Sequence, residues 1–324
     1  MSELRWAPPT RDDNVAWKDL IDALEAVDRR GEVYTPEDLD DQWSSVWSDP
    51  QGAAVFVWHA DELVAFSWLK VMPGRREAHK AILWGGVRPS QRRQGIGSDL
   101  LRWQLEAGSR ALAGLDPGFR SELILDAMPH DTDLRKLADA HGFTPLRTFL
   151  EVARGTATPL ASGTSPVGIE VVAFGPELDD ATREAHTEAF ADHWGSEPRT
   201  ADEWRQWFTG HRGFRPDLSR VALDSASGEV AGYVLVAAYP ADWEIVPVEA
   251  WINTVGTRPA WRGRGVAAAL MTAVLEAVAA DAAGFERAIL GVDAENPTGA
   301  LRLYRRLGFE DVRVLITLGR APLG

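Results

Sequence analysis

The sequence predicts an α+β chain of two tandem domains, each a mixed, mostly antiparallel sheet flanked by helices. Three observations predict it. The stretch "GGVRPSQRRQGIGSDLL" (Gly85–Leu101) returns as "VGTRPAWRGRGVAAALM" (Val255–Met271), sharing Arg-Pro and then Arg-x-x-Gly-x-[Gly/Ala], with Gly95 and Gly265 170 positions apart. Further on, "HGF" answers "LGF", with Gly142 and Gly308 separated by 166 positions. Two marks repeated in order at nearly one offset signal a duplicated unit. Between the copies, "ARGTATPLASGTSPVG" (Ala153–Gly168) is rich in Gly, Ser, Thr and Pro, lacks apolar periodicity and reads as a linker. The expected domains are 1–154 and 168–324, joined by a linker over 155–167.

The elements of the second copy follow in order. "IEVVAF" (169–174) reads as a strand, and "DDATREAHTEAFADHW" (179–194) and "ADEWRQWFTGH" (201–211) read as helices. "SRVALD" (219–224) and "EVAGYVLVAAY" (229–239) are strands joined by "SASG", whose Ser-Gly end suits a hairpin. "VEAWINTV" (248–255) is a further strand, followed by the Gly-rich loop and the helix "VAAALMTAVLEAVAADAA" (266–283). "RAILGVD" (287–293) is a strand, "PTGALRLYRRL" (297–307) a helix with Pro297 in its first turn, and "VRVLITL" (312–318) a last strand. The result is an antiparallel run leading into one β-loop-α-β unit, and the first copy shows the same order.

Bulk properties narrow the function. The 324 residues are 45% hydrophobic and 25% charged, an ordinary globular composition with ample core material. The first residues carry no apolar signal-peptide core, and no apolar run reaches the ~18–20 residues of a membrane span, so a cytoplasmic protein without a membrane partner is expected. The absence of cysteine removes disulfides, thiolate metal sites and Cys nucleophiles. Net charge is −14, spread as −6 over residues 1–160 and −8 over 161–324. Such even acidity argues against a nucleic-acid partner, which needs a basic face. The seven histidines show no ligand spacing with carboxylates, so no metal is expected.

Glycines between a strand and a helix let backbone N–H groups turn inward, and the helix points its positive end at the same spot. With Arg262 and Arg264 adding charge at the rim, the loop suits a pyrophosphate. "GRGVAA" (Gly263–Ala268) also matches the G-x-G-x-x-[Gly/Ala] dinucleotide pattern. Three observations oppose that match. Arg258–Trp261 intervene between strand and loop, and the loop follows four strands where the dinucleotide motif belongs near the start of its fold. The first copy, "RRQGIG" (Arg92–Gly97), lacks a glycine at the position of Gly263.

On these residues the chain resembles a tandem pair of GNAT-superfamily N-acetyltransferase domains, over nearly its whole length. The loop of that family stands here as Arg262/Gly265/Ala267 and as Arg92/Gly95/Gly97, and its second mark as Asn296, Ala300, Tyr304 and Gly308-Phe309. The resemblance implies acetyl-CoA as cosubstrate and transfer to a primary amine by direct attack. It implies that the amides of Gly263, Gly265, Val266 and Ala267 hold the pyrophosphate, with Val87, Arg93, Ile96 and Gly97 in matching places of the first copy. It also implies that the strand near Val255 and Thr257 holds the pantetheine arm and polarises the thioester.

Aligning the copies on Gly-Phe sets Tyr304 opposite Ala138 and Asn296 opposite His130, so the second domain is expected to be catalytic and the first degenerate. A placed phenol, with reference pKa ~10, can donate to a departing thiolate of reference pKa ~8.5. Glu249, Trp251, Asn253 and Val255 share a strand face by alternation. Glu249 is the only carboxylate there and the first candidate base, with Asp293 and Glu295 second. Glu184, Glu188 and Asp192 recur at helical spacing and form an acidic face that attracts a cationic amine or is simply solvated. His193, Trp194, Trp204 and Trp207, with Trp251 and Asn253, are candidates for an acceptor pocket.

The tandem architecture is similar to that of the mycothiol synthases, through the duplication, the length and "DAENPTGALRLYRRLGF" (Asp293–Phe309). That group carries Glu eight residues before the loop proline, where this chain has Trp251, so the acceptor stays open. Alternatives are a mycothiol synthase proper, or a non-catalytic CoA-binding or sensing protein. A small-molecule acceptor and a monomer or homodimer are expected.

Overall fold

A computed structural model describes residues 4–160, 166–296 and 299–323. Residues 161–165 of the expected linker, and Pro297 in the expected first turn of the last helix, lie outside the described residues. The chain separates into two compact units that are not simply consecutive. Unit one comprises residues 1–147 and 315–324, and unit two comprises 148–314.

Unit one runs β1 (Leu4–Ala7), α1 (Asn14–Asp28), α2 (Pro36–Ser44), β2 (Ala54–His59), β3 (Glu62–Met72), β4 (Ala78–Val87), α3 (Ile96–Ala113), β5 (Arg120–Ala127) and α4 (Thr132–Ala140). Strands β1 to β4 pair antiparallel in sequence order. β4 then pairs parallel with β5, from Ala78↔Arg120 to Ile82↔Ile124. β6 (Thr144–Gly155) leads into unit two, which runs β7 (Ile169–Ala173), α5 (Asp179–Ala189), α6 (Ala201–Trp204) with a π-helical turn over Arg205–Thr209, β8 (Arg220–Asp224), β9 (Val230–Ala238), β10 (Glu249–Thr257), α7 (Val266–Ala280), β11 (Arg287–Asp293) and α8 (Ala300–Arg306). β7 to β10 pair antiparallel in order, and β10 pairs parallel with β11.

The strand that closes each unit's run of strands comes from the other half of the sequence. β11 pairs antiparallel with β6, from Arg287↔Gly155 to Asp293↔Phe149. β12 (Glu310–Arg320) pairs antiparallel with β5 over Ile316–Arg320. Burial follows the exchange. Val152 packs fully buried in the unit-two core with Leu270, Val274 and Leu290, while Leu318 packs with Leu105, Leu123 and Phe143 in unit one.

The helices obey local chemistry. α2 begins with Pro36 in its first turn behind a Thr35/Asp38 capping box, and α6 begins on the same device from Thr200 and Glu203. α7 is apolar almost all round, which is why it lies buried on the sheet, with Val266, Leu270, Met271, Val274 and Val278 inside. Among the described residues, no helix is long and apolar enough to cross a membrane.

Candidate active site

Two parallel strands that stop pairing create the site. The β10–β11 ladder covers Glu249↔Arg287 to Trp251↔Ile289 and then ends. At that point β10 bulges: Ile252 faces Val236 and Thr254 faces Leu235, which leaves Asn253 as the extra residue. A bulge bends its strand and turns its side chain aside. Beyond it, Ile252–Val255 and Thr257 line one wall of a cleft of about 1110 Å3, and Leu290–Asp293 of β11 line the other. Phe149 of β6 also lines it, which makes the strand taken from the first half of the sequence part of the wall. Thr257 lines the cleft, and its hydroxyl is buried without a hydrogen-bond partner among the described residues.

The floor of the cleft is the turn into α7. Gly263 (φ 73°) and Gly265 (φ 85°) both take the left-handed conformation, and Gly265 is the N-cap of α7. No side chain caps that helix, so its first N–H groups are open to an anion. The first copy builds the same turn with Gly95 at φ 91°, while Arg93 takes φ 65° at the place of Gly263. The left-handed turn is thus kept where the glycine is not. An amide-lined floor, an unpartnered hydroxyl and an unpaired strand edge together fit a pyrophosphate carrying an amide-containing arm.

The loop arginines hold the turn, and Arg262 also lines the cleft. Arg262 Nε donates to the Thr257 carbonyl at 3.2 Å, Nη2 to the Ala189 carbonyl at 2.7 Å, and the two Nη atoms to Asp192 at 2.8 and 3.1 Å. Arg92 repeats this: Nε donates to Val87 O at 2.9 Å, and both Nη atoms grip Asp28 at 2.8 and 2.7 Å. Arg258 grips Glu188 with two bonds of 2.8 Å, as Arg88 grips Asp19 at 2.6 Å. Arg262 lines the cleft as expected and also pins the loop to the end of α5, all three of its nitrogens having acceptors. These bonds correct one expectation. The acidic face does not await a cationic amine, because Glu188 and Asp192 are held by Arg258 and Arg262. Those hydrogen bonds also keep both carboxyls below the usual carboxylate range. Arg264 is exposed and does not line the cleft.

Tyr304 lines the cleft from α8 at 6% exposure, its ring edge-on to Phe309 at 5.9 Å. Burial pushes its phenol up to about 12, so it is protonated at neutral pH. Buried Arg154 of β6 secures the C-terminal end of α8, donating from Nε to the Leu307 carbonyl at 2.7 Å. Asn296 and Asp293 line the same cleft, the Asp293 Oδ1 accepting from the Glu295 amide at 2.9 Å. His193 and Asn253 line it as well, whereas Glu295 does not.

Other expected residues lie elsewhere. Glu249 sits at the start of β10, where the ladder with β11 is still closed, and is 3% exposed. Its Oε1 accepts from Trp251 Nε1 at 3.1 Å and its Oε2 from Arg287 Nε at 2.7 Å, so this carboxylate neither lines the cleft nor has an oxygen to spare. Trp251 stays with it. Trp204 is 1% exposed, a core residue whose Nε1 donates to Asp179 at 2.6 Å. Trp194 stands 6.4 Å from Phe149, beside the cleft, and Trp207 stacks outside under Arg199 at 4.9 Å. Two residues escaped the sequence reading. Phe149 belongs by position to the first half and carried no signal. His211 closed an expected helix, yet its Nε2 lies 3.4 Å from the Asn253 amide nitrogen.

In unit one the matching turn holds Val87, Gly95, Ile96 and Gly97, with Ile96 buried in the core. Ala138 is fully buried in place of a phenol, and His130 is an exposed turn residue. Among the described residues no group of three or more His, Asp or Glu is arranged to hold a metal.

A family model described as the acetyltransferase (GNAT) family matches residues 17–143 and again 179–309. A mycothiol acetyltransferase of Thermobispora bispora is 28% identical over 274 residues, 81% of this chain and 82% of that protein. The crystal structure of a GCN5-related N-acetyltransferase from Sphaerobacter thermophilus superposes with a TM-score of 0.74 at 27% identity, over 99% of this chain and 96% of that one. A tandem GNAT protein from the clavulanic acid biosynthesis pathway shares the fold, with a TM-score of 0.71 at 20% identity over 99% of each chain.

Proposed function

Since the chain belongs to the GNAT acetyltransferase family, as a tandem pair of its domains, we propose that unit two carries the activity, moving an acetyl group from acetyl-CoA to the primary amine of a small molecule. Acyl transfer by an N-acetyltransferase is the family's chemistry, and acetyl-CoA supplies the activated thioester. The observation that carries the assignment to unit two is Tyr304: a protonated phenol at the cleft wall, where unit one has Ala138.

The residues divide the work. The amides around Gly263, Gly265, Val266 and Ala267 bind the pyrophosphate at the α7 N-terminus. Val255 and the Thr257 hydroxyl hold the arm along the open edge of β10, and Asn296 orients it from the far wall. The acceptor amine attacks the thioester carbonyl in one displacement, and the Tyr304 hydroxyl gives its proton to the departing thiolate. Its raised pKa favours holding the proton until sulfur takes it. The acceptor enters beside Asn253, His193 and Phe149. The resemblance to a mycothiol acetyltransferase makes a mycothiol-related amine the first to try. At 28% identity to that relative the acceptor is open, so other small amines belong in the same panel.

The test is thiol release from acetyl-CoA against that panel, with wild type and Tyr304→Phe side by side. Release with at least one small amine, lowered tenfold or more in kcat by Tyr304→Phe, is expected; tenfold is about 1.4 kcal/mol of transition-state stabilisation. Tight acetyl-CoA binding without release from any amine would overturn the proposal.

A further inference from the structure

Direct attack leaves one proton without an owner. As the amine nitrogen bonds to the carbonyl carbon it must shed an N–H proton, and Tyr304, which supplies sulfur, cannot also take it. Resting on unit two as the catalytic N-acetyltransferase, we infer that His211 is the base, its Nε2 taking the proton of the attacking amine.

Asn253 is the residue extruded by the β10 bulge, it lines the cleft where β10 leaves β11, and its Nδ2 lies 3.4 Å from His211 Nε2. With the Asn253 amide nitrogen as donor, Nε2 is the accepting nitrogen of the imidazole. A contact of that length is weak and is exchanged at little cost for an incoming N–H donor.

The carboxylates around the site are engaged. Glu249 is closed off by Arg287 and Trp251, and Asp192 is gripped by Arg262. Asp293 turns an oxygen to its own chain at the end of β11. Around His211, Tyr239 at the end of β9 stacks at 6.1 Å and 14°, and Phe214 stands edge-on at 6.4 Å. Tyr239 is the titratable member of that shell, Arg212 follows His211 in the chain, and Asn253 is neutral. Burial lowers the imidazole pKa below its ordinary value, with no charged neighbour contributing, so the ring is neutral at pH 7 and competent as a base.

The step balances without another reagent. The C–N bond forms, Nε2 receives the amine proton, the C–S bond breaks and Tyr304 protonates the thiolate. His211 then releases a proton to solvent and Tyr304 recovers one, leaving amide and free CoA thiol.

The experiment compares wild type, His211→Gln and His211→Ala using the best amine from the panel. It records kcat/KM for the amine between pH 5 and 9 and KM for acetyl-CoA. Glutamine keeps a polar partner for Asn253 but has no titrating nitrogen. The expected result is an acid limb in wild type with an apparent pKa below 6.5. In His211→Gln that limb is lost and kcat falls at least tenfold, while KM for acetyl-CoA holds. Added imidazole partly restores His211→Ala. A His211→Gln enzyme with the wild-type limb and rate overturns the inference while leaving the N-acetyltransferase reading intact. A wild type inert towards every amine overturns both.

Discussion

His186 shows what one buried ring does in this fold. It is 4% exposed, stacks on Phe190 at 4.5 Å, and shares a 2.6 Å hydrogen bond with the fully buried Tyr233 hydroxyl. Burial first, then the charge of Arg199, brings its pKa down to about 3. The unfolded ring titrates near 6.5, so between about pH 6.5 and pH 3 the unfolded chain binds a proton that the folded one refuses. Stability from this site is therefore fully present above about 6.5 and falls by roughly 1.4 kcal/mol per pH unit below it. Urea unfolding at pH 7, 6 and 5 on wild type and His186→Gln checks this: wild type should lose stability more steeply. Parallel slopes would show that His186 does not set the acid sensitivity. Tyr304 is buried for the opposite use, a group kept protonated beside a space.

At the scale of elements, the two loop arginines act as pins between the turn and the first long helix of the same unit. Arg262–Asp192 and Arg258–Glu188 are half-exposed pairs, and such pairs are worth about 0–1 kcal/mol each. Their value lies in placing the α7 N-terminus. Because hydrogen bonds lower the pKa of Glu188 and Asp192, the pins are fully formed above the ordinary carboxylate range, about pH 4, and release only as pH falls through the lowered values. Asp192→Asn is thus expected to raise KM for acetyl-CoA several-fold at pH 7 while lowering Tm by no more than a few degrees. Calorimetric titration and a thermal melt check both, and unchanged acetyl-CoA affinity would remove the pin from the binding machinery. The pinning also explains what the sequence could and could not tell. Gly95 and Gly265 announced the turn because a left-handed N-cap strongly favours glycine. Glu184, Glu188 and Asp192 looked available because helical spacing reports a face and not what packs against it. Glu249 looked well placed by strand alternation, but alternation cannot tell where a ladder closes or that Arg287 arrives across it.

At the scale of the molecule, the exchanged strands decide what can fold. The doubled motifs marked two units and their order of elements, but not which unit β6 and β12 complete. Pairing partners are a tertiary choice that the doubled motifs do not encode. A fragment of residues 168–324, cut at the linker that composition suggests, lacks β6, leaves β11 with an open edge and removes Val152 from the core and Phe149 from the cleft. It is expected to melt without a cooperative transition and to bind no acetyl-CoA, whereas 144–314 keeps both. A cooperative melt and calorimetric binding from 168–324 would show that β6 is dispensable.

The exchange has a further consequence for biosynthesis. Translation delivers β5 early, yet the strand that covers its outer edge, Ile316–Arg320, lies about 190 residues downstream. At roughly 5–20 residues per second, the edge stays bare on the ribosome for on the order of ten seconds or more. The first unit to be synthesised is therefore the last to be finished, and during that interval the nascent chain offers chaperones, or neighbours on the same polysome, an unpaired strand.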